Sequence, residues 1–287
     1  MTRTLRALLD YGVGRFERAS LSFGHGTTNA LDEAAWLVLH ALGLPPDELD
    51  PHLDSPLTVA QYAAAKKLLD LRVRSRKPAA YLIHEAWLGP HRFYVDERVI
   101  VPRSFIGELL LKEKPVPGTG FSVLDLCTGS GCLAILCALR WPAAKVDAAD
   151  LSAEALAVAK RNVADYGLEE RVRLVKSDLF AALKSRKYDL IVSNPPYVKA
   201  ASMAKLPDEY REEPEMALAS GRDGLDHTRQ ILEGARAHLN PRGTLMVEIG
   251  HNRRALQKAY PGLAFDWPVT SGGRRFVFTL AREDLPA

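Results

Sequence analysis

From Gly120 onward the sequence alternates short apolar runs with amphipathic stretches, a pattern that few folds accommodate. Residues 121–126, 145–149, 172–175, 188–193 and 244–249 read as strands. Residues 131–139, 153–166 and 226–239 read as helices between them. Strand–helix alternation of this kind predicts an α/β fold with a doubly wound parallel sheet. The tail carries 265–267 and, after Gly272-Gly273, 275–280, which predict a final antiparallel pair.

The first eighty or so residues lack strand periodicity. Residues 31–42 are apolar at helical spacing and stop at Gly43, Pro45 and Pro46. Thr58 is placed to cap a second helix with Ala64, Leu68, Leu69 and Val73 on its apolar face, ending before Pro78. Between the two regions, the runs 93–95 and 99–101 around a Gly89-Pro90 turn signal predict a hairpin. Residues 112–120 are rich in Pro and Gly and read as a loop. The expected organisation is a helical recognition domain at 1–85, a β-hairpin linker at 86–101 and an α/β domain at 102–287. A length of 287 residues fits one or two domains.

With 47% hydrophobic and 25% charged residues, the chain is neither disordered nor fibrous. Its net charge of +3 makes no case for nucleic acid or membrane. The basic residues Arg72, Arg74, Arg76 and Lys77 cluster mildly and read as a solvated helix end. No apolar run reaches the roughly 20 residues of a membrane span, and the first 20 residues lack a signal-peptide core. Cys127, Cys132 and Cys137 match neither a disulfide framework nor a CxxC metal pair. They are expected to be buried thiols of a cytoplasmic protein, with no metal.

The segment Leu124-Asp125-Leu126-Cys127-Thr128-Gly129-Ser130-Gly131 places glycines where a buried strand turns into a helix. Glycine there lets the backbone approach a ligand and adopt positive φ. Asp150 ends the next strand, where a carboxylate can accept hydrogen bonds from both hydroxyls of a ribose. Asp178 ends the third strand, facing the position of an adenine amino group, with Phe180 as an apolar wall for the ring. A nucleoside cofactor follows from these strand ends. Gly129-x-Gly131-x-x-Ala134 also fits the dinucleotide fingerprint, so this turn leaves the cofactor's identity open.

The fourth strand runs into Asn194-Pro195-Pro196-Tyr197. Two prolines stiffen the loop, which lies at a carboxyl strand end, where open α/β sheets hold ligands. The Asn194 side-chain oxygen and the Pro195 carbonyl form a pair of acceptors for both hydrogens of a planar NH₂ group, with Tyr197 over its flat face. Amide and arylamine nitrogens are poor nucleophiles because their lone pair is delocalised. Holding both N–H groups orients the nitrogen and stabilises the positive charge that develops on it.

Together these motifs resemble the class I methyltransferases that act on planar amino groups. Pro78-Ala79-Ala80-Tyr81-Leu82, Val101-Pro102-Arg103, Glu213-Pro214-Glu215-Met216-Ala217-Leu218, Asp223-Gly224-Leu225 and Val247-Glu248-Ile249-Gly250 extend the likeness to the HemK-type protein-glutamine methyltransferases. The resemblance implies S-adenosylmethionine as cofactor and a glutamine in a Gly-Gln context as substrate. It implies that Asn194, Pro195, Pro196 and Tyr197 form the catalytic, glutamine-binding loop. Cys127, Thr128, Gly129, Ser130, Gly131, Asp150, Leu151, Asp178, Phe180 and Asn194 would then hold the cofactor. The release-factor branch reads PRPxTE after the hairpin, whereas this chain reads Pro102-Arg103-Ser104-Phe105-Ile106-Gly107-Glu108. That run, with Ala86-Trp87 and 93–98, is similar to the branch that modifies the third protein of the large ribosomal subunit.

Glu108 does not inherit the PRPxTE acid's role, and Arg103 either anchors a substrate carbonyl or braces the joint between domains. Glu213 and Glu215 read as solvated loop residues rather than a substrate rim, and Glu248 reads as structural. Neither a membrane nor a sequence-specific nucleic-acid partner is expected. The readings to be separated from this one are a release-factor substrate, a nucleic-acid amino methyltransferase, a nicotinamide-dependent oxidoreductase and a non-catalytic ribosome-assembly module.

Overall fold

The computed structural model describes residues 3–112 and 120–286. The Pro/Gly-rich loop expected at 112–120 lies, apart from its two ends, outside the described residues. The chain divides into two compact units, one formed by 1–86 with 206–213 and the other by 87–205 with 214–287.

Three helices build the first unit's core: α1 (Leu5–Arg18), α2 (Ala30–Leu42) and α3 (Val59–Ser75), followed by the short α4 (Ala79–Ile83). Asn29 caps α2 by accepting from the Asp32 N–H at 2.9 Å, and Gly43 closes that helix in the left-handed region. Thr58 caps α3 in a reciprocal capping box with Gln61. Leu5, Leu8, Phe16, Leu37, Leu39 and Leu69 are buried. Gly12 lets α1 approach closely, since a Cβ there would lie 3.0 Å from Leu69 and 3.1 Å from Ala34.

The buried face of α3 is rotated from the expected one. Ala64 is exposed, whereas Ala65, Leu69 and Arg72 are buried. Arg72 is thus no part of a solvated helix end. Its Nε donates to Glu33 Oε1 at 2.7 Å and its second amino group to the Ser22 carbonyl at 3.2 Å. Residues 206–213 bring Glu209 within 3.6 Å of Arg72 and 3.4 Å of Arg76. They also bring Glu213 within 3.4 Å of His25. A buried guanidinium needs such carboxylates, because desolvating an unpaired charge is prohibitive. Glu213 is therefore buried in the helical unit rather than a solvated loop residue.

A short hairpin, β1 (Ala86–Leu88) and β2 (His91–Phe93), turns at Gly89-Pro90. The expected second run, 99–101, is not a strand. Asp96 takes the Arg98 N–H at 3.1 Å and pairs both carboxylate oxygens with the Arg98 guanidinium, which coils the backbone into a turn. Val99 and Val101 still bury their side chains.

The second unit continues with α5 (Phe105–Lys112), β3 (Ser122–Leu126), α6 (Cys132–Arg140), β4 (Lys145–Asp150), α7 (Ala153–Asp165), β5 (Val172–Lys176) and β6 (Tyr188–Ser193). After α8 (Ala200–Met203) the chain returns to the first unit for the single turn α9 (Asp208–Arg211), and the second unit resumes with α10 (Asp226–His238), β7 (Leu239–Glu248), α11 (Arg253–Ala259) and β8 (Val277–Ala281). The six strands lie in the order β5-β4-β3-β6-β7-β8, all parallel except the antiparallel β7–β8 pair. The expected pairing of 265–267 with the last strand is reduced to one antiparallel bridge, Asp266 to Thr279, and the long antiparallel partner of β8 is β7. One apolar cluster, with Ile106, Leu133, Leu136 and Val163, fills one side of the sheet. Another, with Ile231, Leu232, Leu256 and Trp267, fills the other. Among the described residues no helix is long and apolar enough to cross a membrane.

Strand order reverses between β3 and β6, and open α/β sheets bind ligands at the carboxyl ends flanking such a point.

Candidate active site

At the end of β3 the backbone enters the left-handed region three times, at Cys127 (φ 58°), Gly129 (φ 55°) and Gly131 (φ 82°). Gly131 starts α6 against α7, where a Cβ would lie 3.2 Å from that of Ala159. At Gly129 a Cβ would project into open space, so its absence leaves room in front of the turn. Asn162 of α7 braces the turn, donating to the Ser130 carbonyl at 2.8 Å and exchanging hydrogen bonds with the Tyr94 backbone. Below it, Asp125 is buried and accepts from Thr128 Oγ1 at 2.5 Å and from the Ala134 N–H at 3.1 Å. Burial pushes its carboxyl up to about 7.

Asp150 ends β4. One carboxylate oxygen accepts from the Gly129 N–H and the other from the Ser152 N–H, both at 2.9 Å. These bonds orient the group and leave lone pairs for a ligand. Burial raises its pKa against their opposing effect. Asp150, Leu151, Asp178 and Leu179 line one cleft of about 710 Å³, open mouth included, together with Cys127 and Gly129. Asn194 and Pro196 form its far wall. Cys127 and Cys132 are not nucleophiles, since burial raises both thiols, Cys132 to about 12.

Phe180 does not reach this cleft. Its ring stacks on His238 at 4.5 Å and packs over Gly234, where a Cβ would come within 2.5 Å. The cause is local: Ser177 Oγ donates to the Leu179 carbonyl at 2.7 Å, and Leu179 takes φ 42°. That turn leaves Leu179 at the cleft and sends Phe180 into the core on the α10 side. Thr128, Ser130 and Gly131 shape the turn from behind and do not line the cleft.

At the end of β6, Ser193 Oγ donates to the Leu126 carbonyl at 2.8 Å and ties the two central strand ends together. The Asn194 Nδ2 then donates to the Arg103 carbonyl at 3.4 Å, while its Oδ1 is buried without a hydrogen-bond partner. That orphaned acceptor is what a donor ligand would satisfy. Asn194 also lines a second recess of about 280 Å³ with Arg103, Pro195, Tyr197, Val198 and Leu218. It thus stands between two spaces, one walled by Asp150 and Gly129 and one by Pro195 and Tyr197. Asn252 holds the Tyr197 carbonyl at 2.8 Å, and Gly250 (φ 53°) makes room for the Tyr197 ring. The expected loop residues therefore come together, and Arg103 contributes its carbonyl to them as well as its place on the recess wall.

Glu248 lies behind the site. It accepts from Ser104 Oγ at 2.7 Å and the Phe105 N–H at 2.9 Å, capping α5. Glu108 binds Ser271, and Glu215 begins a short 3₁₀ turn. Two cleft residues escaped the sequence reading. Arg98 is held by Asp96, whose carboxyl it lowers to about 2. His227 bonds Ser220 Oγ at 2.9 Å, and burial lowers its pKa. Arg98 falls within the 93–98 run but nothing in that run marks it for the cleft, where the Asp96 turn places it, and His227 is placed by its bond to Ser220.

Residues 106–211 match the model of the methyltransferase small domain, and residues 16–83 match that of the PrmC N-terminal domain. A ribosomal protein uL3 glutamine methyltransferase from Neisseria meningitidis serogroup B is 55% identical over 98% of this chain and 94% of its own length. The protein of that name from Burkholderia pseudomallei is 52% identical over 99% and 96%, and that from Bradyrhizobium diazoefficiens is 48% identical over 98% and 92%. Identity at this level over nearly the whole of each chain, joined to the Asn194 loop and the glycine turn, means that the chain belongs to the HemK-type glutamine methyltransferases, in the branch of the ribosomal protein uL3 enzymes.

Proposed function

We propose that this protein transfers a methyl group from S-adenosylmethionine to the side-chain amide nitrogen of a glutamine in ribosomal protein uL3. The observation that carries the reading is the Asn194 amide: its nitrogen is committed to the Arg103 carbonyl, and its oxygen is buried and free between two recesses.

The residues present fit the cofactor. Open space before Gly129 and the unfilled lone pairs of Asp150 suit a ribose, and Leu151 offers an exposed apolar surface beside them. Cys127, Gly129, Asp150, Leu151, Asp178 and Asn194, which line the cleft, would hold it, with Thr128, Ser130 and Gly131 fixing the turn behind them. When bound, it supplies an electrophilic methyl group on a sulfonium. The Asn194 Oδ1 and the Pro195 carbonyl accept the two amide hydrogens, and Tyr197 covers the plane of the amide. With its N–H groups held, the nitrogen turns its lone pair toward the methyl, and the two acceptors stabilise the charge it gains. One of those hydrogens then leaves as a proton to water, so no strongly basic side chain is needed. Desolvation raises the Cys127 and Cys132 thiols, which favours their protonated form over a nucleophilic thiolate.

The helical unit at 1–85 recognises the fold around a Gly-Gln sequence, since a single glutamine side chain offers little discrimination by itself. Action on a ribosomal protein supports a cytoplasmic location for the enzyme.

The test is methyl transfer from labelled S-adenosylmethionine to purified large-subunit proteins, with a peptide-release factor and DNA in parallel. One glutamine of uL3 gaining the mass of a methyl group is the expected result. Label confined to the release factor would keep the chemistry and overturn the substrate, and label confined to DNA would overturn both.

A further inference from the structure

The basic residues that stand out in the sequence, Arg72 and Arg76, are absorbed by Glu33, Asp208 and Glu209 inside the helical unit. The unneutralised charge lies elsewhere. Residues 249–276 contain Arg253, Arg254, Lys258, Arg274 and Arg275 against a single carboxylate, Asp266. That is a net +4 in a chain whose total is +3, so this segment outweighs the balance of all the rest.

Among the described residues none of these five cations pairs with a carboxylate. The Arg253 guanidinium lies 4.4 Å over the Trp267 ring and donates to the Arg274 carbonyl. Arg275 lies 4.9 Å over the Phe276 ring and donates to the Gly272 carbonyl at 3.2 Å. Arg274 donates to the Trp267 carbonyl at 3.4 Å. Aromatic faces and carbonyls hold the guanidinium groups while leaving N–H donors unspent, and Arg254, Arg274 and Arg275 are exposed. Asp266 is engaged by the Trp267 N–H and Thr279, and the neighbouring Glu108 by Ser271. Bound only to neutral donors, both keep their charge, and with Glu108 counted the five cations still leave a net +3.

This surface is joined directly to the active-site loop. Asn252, the residue before Arg253, holds the Tyr197 carbonyl, and Gly250 lies under the Tyr197 ring. A partner gripping α11 therefore lies close to where the glutamine enters.

We propose that the arginines of α11 and the 272–275 turn bind the phosphate backbone of RNA, so that uL3 is taken as a substrate already associated with ribosomal RNA. The proposal rests on the uL3 reading above. Forked guanidinium donors match phosphate oxygens, and a field of four to five unpaired positive charges is the footprint of backbone binding without sequence readout.

The experiment measures binding of a fluorescent ribosomal RNA fragment to the full-length protein between roughly 50 and 200 mM salt. It compares the wild type, R254Q/R274Q/R275Q and R254K/R274K/R275K. Losing three phosphate contacts lowers the slope of log affinity against log salt by about 2, and affinity by about tenfold, while the lysine variant keeps the slope. Methyl transfer to RNA-bound uL3 falls in the glutamine variant, and transfer to free uL3 does not. An unchanged salt slope overturns the proposal, as does an equal loss of transfer on free and RNA-bound uL3. Polyglutamate competing as well as RNA overturns it in favour of an acidic peptide. Failure of the wild type to methylate either form of uL3 would defeat the substrate reading, and the salt slope would still decide this one.

Discussion

Two carboxyl groups beside the active-site loop are pushed to about 7 by burial, Asp125 under the glycine turn and Glu248 behind α5. For Asp125 the consequence is a pH-dependent stability. In the unfolded chain it ionises near the ordinary value of 3.8, so the native state holds its proton more tightly between that value and about 7. The stability this contributes is complete below about pH 4 and is lost as pH rises through 7, on the order of 4 kcal/mol. Asp125→Asn cannot ionise, and its Oδ1 can still accept from Thr128 and Ala134. Urea unfolding across this range should show the wild type losing stability relative to the variant as pH rises. A constant difference would contradict the assignment. The acidic residue was plain in the sequence, but its state was not, because its burial depends on how the glycine turn and α6 fold over the end of β3.

The strand–turn units show what the sequence could and could not disclose. Strand β6 begins and ends at the expected residues, and β3, β4, β5, α6, α7 and α10 differ from expectation by about a residue at either end. Apolar periodicity carries that much because each element buries one side. The Asn194 loop, Asp150 and Gly129 were legible for a similar reason: their chemistry depends on strand ends. Phe180 was misread because the direction of a side chain after a tight turn depends on backbone angles that the residue types do not give. The hairpin's second run failed likewise, to the local pull of Asp96 on Arg98.

Two glycines separate the two sides of the site. A Cβ at position 250 would lie 2.7 Å from the Tyr197 ring. Gly250→Ala should therefore lower kcat/KM for the protein substrate by about 10²-fold, the usual cost of misplacing a positioning group. Its cofactor Kd should stay within about twofold, since nothing facing Asp150 moves. Gly129→Ala should do the reverse, raising the cofactor Kd about tenfold by putting a methyl into the open space before the turn. Separate titrations of cofactor and protein substrate distinguish the two; a common effect on both would mean that the recesses are not independent.

Across the whole chain, the helical unit is completed by residues 206–213, which come from far along the sequence. Periodicity could not reveal this, because the tie is a set of buried charges rather than an apolar stripe. Arg72→Ala leaves Glu33 buried without its cation and Glu209 with Arg76 alone, and should cost about 3–5 kcal/mol in urea unfolding. A loss below about 1 kcal/mol would mean that the cluster behaves as a surface pair. The charge map has the same character. A net +3 looked uninformative, yet the paired arginines are spent on carboxylates in both units, while those of 253–275 pair with none among the described residues and follow directly on Asn252, which holds the Tyr197 carbonyl.

The central claim, that the Asn194 loop methylates a glutamine of uL3, is tested most directly on uL3 from cells. The protein would be isolated from a strain lacking this gene and complemented with either the wild type or Asn194→Ala, and its glutamine peptides weighed. One methylated glutamine is expected with the wild type and none with the variant, at equal enzyme levels. Full methylation by Asn194→Ala, or an unmodified uL3 in both strains, would contradict the claim.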